Sequence, residues 1–421
     1  MRIRVTALLA LLLAHSASAE TIAIVDARLV TMTGAGNIQR GTILIRDGTI
    51  AALGADVQVP ANARVIDGRG GVVTPGFIQA DSSLGAVEVS QVPASADRAT
   101  HSKRASAAFD ISQGLNPDSI LLPISRLGGI THAVTTPLYD DRPDRALQFA
   151  GQAAVIDLAQ RPHMVTRPRA AMVLEMGEGG AERAGGARGV AIVELRTTLA
   201  DVRHFAEHRA AYDRGEGRPQ ALSRADLEAL IPVAEGRMPL IVKVDRASDI
   251  AEIISIAREE KLRIILDGAQ EGWRVADTIA AAKVPVILDP IANLPRSFSE
   301  LGATMENAAR LHEAGVVVIL KTGSGVAHRA RELRYGAGNA VAWGLPYDAA
   351  LAAITINPAR VFGVADRIGV LEAGRTADLV LWNGDPLEPL SQPRAIFLEG
   401  TEQSLNARPL ELRDRYRPLS R

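Results

Sequence analysis

Cysteine is absent from the 421 residues, which excludes disulfides, thiolate metal sites and cysteine nucleophiles together. An excess of one charge is missing too. The chain has 47 Lys and Arg against 48 Asp and Glu, a net charge of -1, so no overall field draws it to nucleic acid or to an anionic membrane. There is no long polar low-complexity tract, and hydrophobic residues make up 47%; most of the chain should therefore bury a core. Past the N-terminus, no uncharged apolar run approaches the ~20 residues of a bilayer span.

The first residues have their own grammar. Arg2 and Arg4 precede an almost pure Leu/Ala run from Val5 to Ala14, and Ala17-Ser18-Ala19 supplies the small residues that a signal peptidase reads. This predicts a signal peptide over 1–19, cleavage before Glu20, and a bacterial periplasmic or secreted mature protein with no membrane span.

From Thr21 to Val73 short β-branched runs alternate with turn signals, with Asp47-Gly48 as the clearest hairpin turn. Similar strands return at Ala377 to Trp382 and Ala395 to Gly400. Two such flanks around a large insert predict one β-sandwich built from both termini, 20–74 and 364–421. Within the insert, apolar strands alternate with longer helical patterns, the mark of βα units and a parallel sheet. The expected strands are Gly76 to Ala80, Ile130 to Thr135, Ala153 to Leu158, Ala171 to Glu175, Leu240 to Val244, Arg263 to Leu266, Val284 to Leu288 and Val316 to Leu320. Helices are expected at Asp249 to Glu260 and Trp273 to Ala282, and Gly177 to Gly189 reads as a flexible Gly-rich loop. The fold class is α/β: a TIM-type (β/α)8 barrel over 75–363, with a doubly wound open sheet as the alternative.

Three stretches carry a resemblance. Val73-Thr74-Pro75-Gly76-Phe77-Ile78-Gln79-Ala80-Asp81, Thr355-Ile356-Asn357-Pro358-Ala359 and Gly369 to Val380 are similar to the first barrel strand, closing helix and return strands of the amidohydrolase superfamily, in its imidazolonepropionase-like branch. The resemblance implies hydrolysis of carbon–nitrogen bonds other than ordinary peptide bonds, on a small molecule. It also implies one or two divalent metals held by four His and one Asp, often with a bridging carboxylated Lys or Glu, which turn bound water into hydroxide.

At the matching positions this chain differs. Asp81 and Ser83 stand where the first strand normally has a His-x-His pair; Lys243 and Asp267 stand where the fifth and sixth strands carry His; after Lys321-Thr322, Gly323 takes the place of an Asp. A Lys ammonium has no free lone pair and repels a nearby cation. Asp81, Ser83, Lys243, Asp267 and Lys321 are therefore the candidate pocket residues. Lys243, with Lys321 beside it, is expected to fill the space of the metals and to neutralise Asp81 and Asp267. No cofactor is expected; Zn²⁺ would require a rebuilt site.

Other designs are weaker. His204 and His208 have chelating i, i+4 spacing among charged neighbours and read as a solvated helix face; His132, inside an apolar strand, reads as a core histidine. Ser82, Ser83 and Ser324 lack a nucleophile elbow, and Lys243 as a Schiff-base amine is a further option. Two function classes remain: an exported hydrolase of the amidohydrolase type, or a catalytically inactive barrel that binds a ligand or partner. The oligomeric state is not legible.

Overall fold

A computed structural model describes residues 20–139, 148–216, 218, 220–292, 294–323 and 326–417. The expected signal segment and Ser324 lie outside the described residues. The chain opens with β1 (Ile22–Leu29), β2 (Ile38–Arg46), β3 (Thr49–Gly54), β4 (Arg64–Asp67) and β5 (Val72–Pro75). The β2–β3 hairpin turns as its residues dictate: Asp47 and Gly48 have φ of 50° and 75°, the left-handed pair that a two-residue turn requires.

Next come β6 (Phe77–Ser82), α1 (Leu121–Arg126), β7 (Ile130–Thr135), β8 (Phe149–Asp157) and β9 (Val165–Glu175). Helices α2 (Glu178–Arg183), α3 (Arg188–Glu207), α4 (Arg209–Asp213) and α5 (Arg224–Ala234) lead to β10 (Leu240–Val244). Then α6 (Ala247–Glu259), β11 (Ile264–Gly268), α7 (Ala276–Ala281), β12 (Val286–Leu288), α8 (Asn307–Glu313) and β13 (Val318–Leu320) alternate. The chain continues through α9 (Leu333–Ala342), α10 (Tyr347–Ala352) and α11 (Ile356–Val361) to β14 (Leu379–Trp382), β15 (Pro393–Leu398), β16 (Thr401–Glu402) and α12 (Arg408–Tyr416).

Strands β6 to β13 form one eight-stranded sheet in sequence order, a nearly closed barrel. Between its ends, Gln79 Nε2 on β6 donates to Thr322 O just past β13, at 2.7 Å. One strand runs against the expected pattern: β8 is antiparallel to both β7 and β9, so eight repeated βα units is corrected to a barrel with a β7–β8–β9 meander. The reason is connection length. Only residues 158–164 separate β8 from β9, too few for the dozen or so of a parallel crossover.

The barrel interior is aliphatic. Ile78, Ala80, Val134, Val155, Val173, Ile241, Ile265, Ile287 and Ile319 pack with Ile356, Ala359 and Phe362 from and beside α11. That helix plugs the end of the barrel away from the strands' C-termini. The Gly177 to Gly189 loop is also corrected, since α2 forms inside it. Gly180 answers a close approach, because a Cβ there would fall 2.8 Å from the Glu175 carbonyl carbon, whereas Gly185, Gly186 and Gly189 face open space.

The two terminal segments join into a single sheet, ordered β16-β15-β14-β5-β1-β2-β3 with β4 beside β1. The expected sandwich is thus one continuous sheet folded over a shared core, to which Ile24, Ile43, Ile50, Leu379 and Phe397 contribute. Its two ends meet: a Cβ on Gly400 would lie 2.9 Å from Gly48 Cα. Trp382 fixes this sheet to the barrel, stacking on Phe77 at 5.4 Å between centroids and donating from Nε1 to Thr74 Oγ1 at 3.0 Å.

Candidate functional site at the barrel mouth

Strands β10 to β13 repeat one motif. Ile241, Ile265, Ile287 and Ile319 face the barrel interior, and two residues beyond each comes a charge: Lys243, Asp267, Asp289 and Lys321. Because strand side chains alternate with period two, these charges share the inward direction one layer higher, at the C-terminal mouth. Glu175 stands in the same relation to Val173 on β9 and pairs in register with Lys243. On β6 the side chain that reaches this layer is Asp81, which breaks the alternation of Ile78 and Ala80 where the strand is irregular between Gln79 and Ser82.

Lys321 is the centre of the cluster. Its Nζ donates to Asp81 Oδ2 at 2.8 Å and to an oxygen of Asp267. Lys243 Nζ sits farther out, 3.9 Å from Asp81 Oδ2 and 3.8 Å from Asp267 Oδ2. Exposure separates the two lysines: the Lys321 side chain is 5% exposed and that of Lys243 22%. Thr136, just past β7, donates its hydroxyl to Asp81 Oδ1. Two ammonium groups and two carboxylates make the cluster formally neutral. Both lysines thus stand beside the two aspartates as expected, with Lys321 bridging them directly and Lys243 nearer the mouth.

Burial on its own would raise the Asp81 carboxyl, but the charges of Lys243 and Lys321 and the hydrogen bonds from Lys321 and Thr136 hold it well below the usual carboxylate range. Burial likewise works against the Lys321 ammonium, and Asp267 and Asp81 more than offset it, holding its pKa above the usual lysine range.

Other polar groups surround this centre. Arg183 pairs with Glu175 and lies over the Tyr139 ring, 3.7 Å from its centroid. Asp245, two residues beyond Lys243, is pushed up to about 7 by burial first and by the Glu300 carboxylate second. Asp289 accepts N–H groups from Gly323 (3.3 Å) and Ile291 (3.2 Å). Ser83 is buried in the turn after β6, where its carbonyl accepts from Ala86 N and Val87 N at 3.0 and 3.1 Å. Thr136, Glu175 and Asp245 were missed in the sequence, although each ends or directly follows a strand, where a barrel site is expected.

His132, His204 and His208 lie elsewhere. His132 is buried beside Asp378 on the side of the barrel sheet that meets the terminal sheet, its Nε2 3.9 Å from Asp378 Oδ2. His204 and His208 stack on each other at 4.3 Å on α3 and its C-cap.

Residues 206–404 match the profile of the amidohydrolase family. The imidazolonepropionase of Mesorhizobium japonicum is 26% identical, over 85% of this chain and 91% of its own length. That of Aromatoleum aromaticum is 27% identical, over 83% and 87%. The chain thus carries an amidohydrolase-family domain. A stronger local match, 44% identity to amidohydrolase tasK of Hapsidospora irregularis, spans 14% of this chain and 6% of that protein. The solved amidohydrolase of Thermotoga maritima superposes with a TM-score of 0.79 at 23% identity, covering 91% of this chain and 99% of that one.

Amidohydrolase barrels imply a divalent metal at this mouth, and the donor set can be tested against one. A divalent ion needs lone pairs converging on open space. Here Asp81 and Asp267 already accept hydrogen bonds from Lys321, and a second ammonium lies within 4 Å of both. As arranged, this set does not fit a divalent cation. It fits an internal one.

Proposed function

We propose that this amidohydrolase relative is an exported protein that recognises a small molecule at its barrel mouth without a metal-activated water. One observation carries the reading: the Lys321 ammonium is hydrogen-bonded to both Asp81 and Asp267, at positions that resemble the family's metal-ligand positions. A cation supplied by the chain needs no ion from solution, and it occupies the lone pairs that would otherwise hold or deprotonate a water. What remains facing the mouth is Lys243, a partly exposed ammonium suited to an anionic or carbonyl group of a ligand, and Asp245, a carboxyl that exchanges its proton near neutral pH. The N-terminal Arg2, Arg4, the apolar run and Ala17-Ser18-Ala19 support export.

A second reading, a hydrolase of carbon–nitrogen bonds other than peptide bonds, is favoured by end-to-end similarity to the imidazolonepropionases. One experiment separates the two. Protein purified without chelator is analysed for metal and assayed on amides, lactams and imidazolones with and without Zn²⁺, Mn²⁺ or Mg²⁺. Substoichiometric metal and background rates throughout are expected; about one Zn²⁺ per chain with metal-stimulated turnover would overturn the proposal.

A further inference from the structure

The barrel carries a second concave surface at the opposite end, a groove of about 620 Å³ below the starts of β11 and β12. Its floor is apolar, with Ile264, Ile265 and Val284 buried. Its rim is basic: Arg258, Lys261, Arg263, Lys283 and Arg360 line it, and no acidic residue does. Among the described residues none of these five comes within 4.0 Å of a carboxylate. The nearby Glu259 and Glu260 are engaged by Arg196 and Arg203, both at 2.6 Å. In a chain of net charge -1, five cations without a carboxylate at ion-pair distance around one groove, one of them, Arg263, donating to Val361 O at 3.2 Å, are a local concentration that overall composition conceals.

The backbone adds an independent observation. Eight helices of the barrel end on a residue with positive φ just past the C-cap. After α2, α4, α5, α8, α9 and α11 that residue is Gly185, Gly215, Gly236, Gly315, Gly344 and Gly363, with φ of 80°, 75°, 71°, 85°, 99° and 69°. After α6 and α7 it is Lys261 and Lys283, with φ of 57° and 55°. Glycine takes this conformation without steric cost and lysine does not. The two helix ends that border the groove thus carry a cation where the others carry the easier residue. Helix C-termini contribute roughly half a negative charge each, so two of them leave the five side chains in large excess.

We infer that this groove binds a phosphate-bearing anion, either a soluble phosphorylated compound or the headgroup of an acidic phospholipid. Three guanidinium groups offer paired donors that match phosphate oxygens, and two ammonium groups add point charge. The apolar floor accommodates the organic part to which the phosphate is attached.

The test uses the full mature chain and its Lys261→Gly, Lys283→Gly double variant. Broadening of the ³¹P resonance of inorganic phosphate reads soluble binding, and flotation with vesicles of phosphatidylglycerol against phosphatidylcholine reads headgroup binding. The wild type should bind at least one of the two phosphate sources, in a salt-sensitive way, and the double variant should bind it at least tenfold more weakly. Its melting temperature should meanwhile rise, since both substitutions relieve the backbone. Opposite movement of binding and stability separates a site from a merely structural basic rim. Absence of both kinds of binding in the wild type, or equal binding by the variant, overturns the inference. As a second probe, Arg258→Gln, Arg360→Gln should also weaken binding with the fold unchanged; equal binding there overturns it too.

Discussion

Lys321 Nζ lies 2.8 Å from Asp81 Oδ2 although 240 positions separate the two residues in the chain. They extend from β13 and β6, the end strands of the barrel sheet, so the ion pair crosses the seam where the cylinder closes. The group that fills the mouth therefore also holds the barrel shut.

Lys321→Met should destabilise the fold by about 3–5 kcal/mol, the usual cost of leaving buried carboxylates without their partner. Adding Asp81→Asn and Asp267→Asn should recover most of that loss. Urea unfolding of the single and triple variants checks this; equal stabilities for the two would show that the cluster has no part in closure.

The same cluster sets limits at both ends of the pH scale. Asp81 is held below its ordinary pKa, so its contribution is complete above ~4, the unfolded value, and is lost as pH falls through the lower folded value. Lys321 is held above its ordinary value, so its contribution is complete below ~10.4 and is lost as pH rises beyond it. Melting temperature should plateau between these limits, and Lys321→Met should blunt both flanks.

Asp378 is pushed up to about 7 by burial first, and burial pulls His132 down to about 4. The raised carboxyl costs stability as pH climbs from ~4 to 7; the depressed imidazole restores it as pH climbs from 4 to ~6.5. Asp378→Asn removes only the first effect. The variant should match the wild type near pH 4 and exceed it by on the order of 4 kcal/mol at pH 8, which chemical denaturation at the two pH values will show. A constant difference would rule out titration of Asp378.

Gly129 has φ of 81°, and a Cβ there would fall 2.6 Å from Trp382 Cη2. Gly129→Ala should cost about 3 kcal/mol or more through backbone strain and overpacking combined. Thermal unfolding should register the loss, and near-ultraviolet dichroism should report movement of the Trp382 ring. An unshifted melting curve would refute the close approach.

Much of the barrel was legible where the residues left few options. β-Branched runs place β7 and β10 at the expected Ile130–Thr135 and Leu240–Val244. The direction of β8 was hidden because all nine of its residues are buried, and a strand buried on both faces reads the same either way round; the short link to β9 was the overlooked signal. At the site, Asp81, Lys243, Asp267 and Lys321 converge as their strand-end positions suggested. Which lysine stands between the carboxylates was not legible, since one-residue differences in depth depend on register. Thr136 was hidden for another reason: a lone hydroxyl after a strand looks like any loop residue until a buried carboxylate is found facing it.

The meander of β7, β8 and β9 has a kinetic consequence. Its strands are neighbours in sequence, and β8 and β9 are joined by a link of only a few residues, so pairing them requires little loop closure. The juncture of β6 with β13 must bring together segments from far apart in the chain. Order should therefore spread outward from the one reversed strand, and amide protons of β8 should be among the slowest to exchange, with those bordering the juncture among the first to be released.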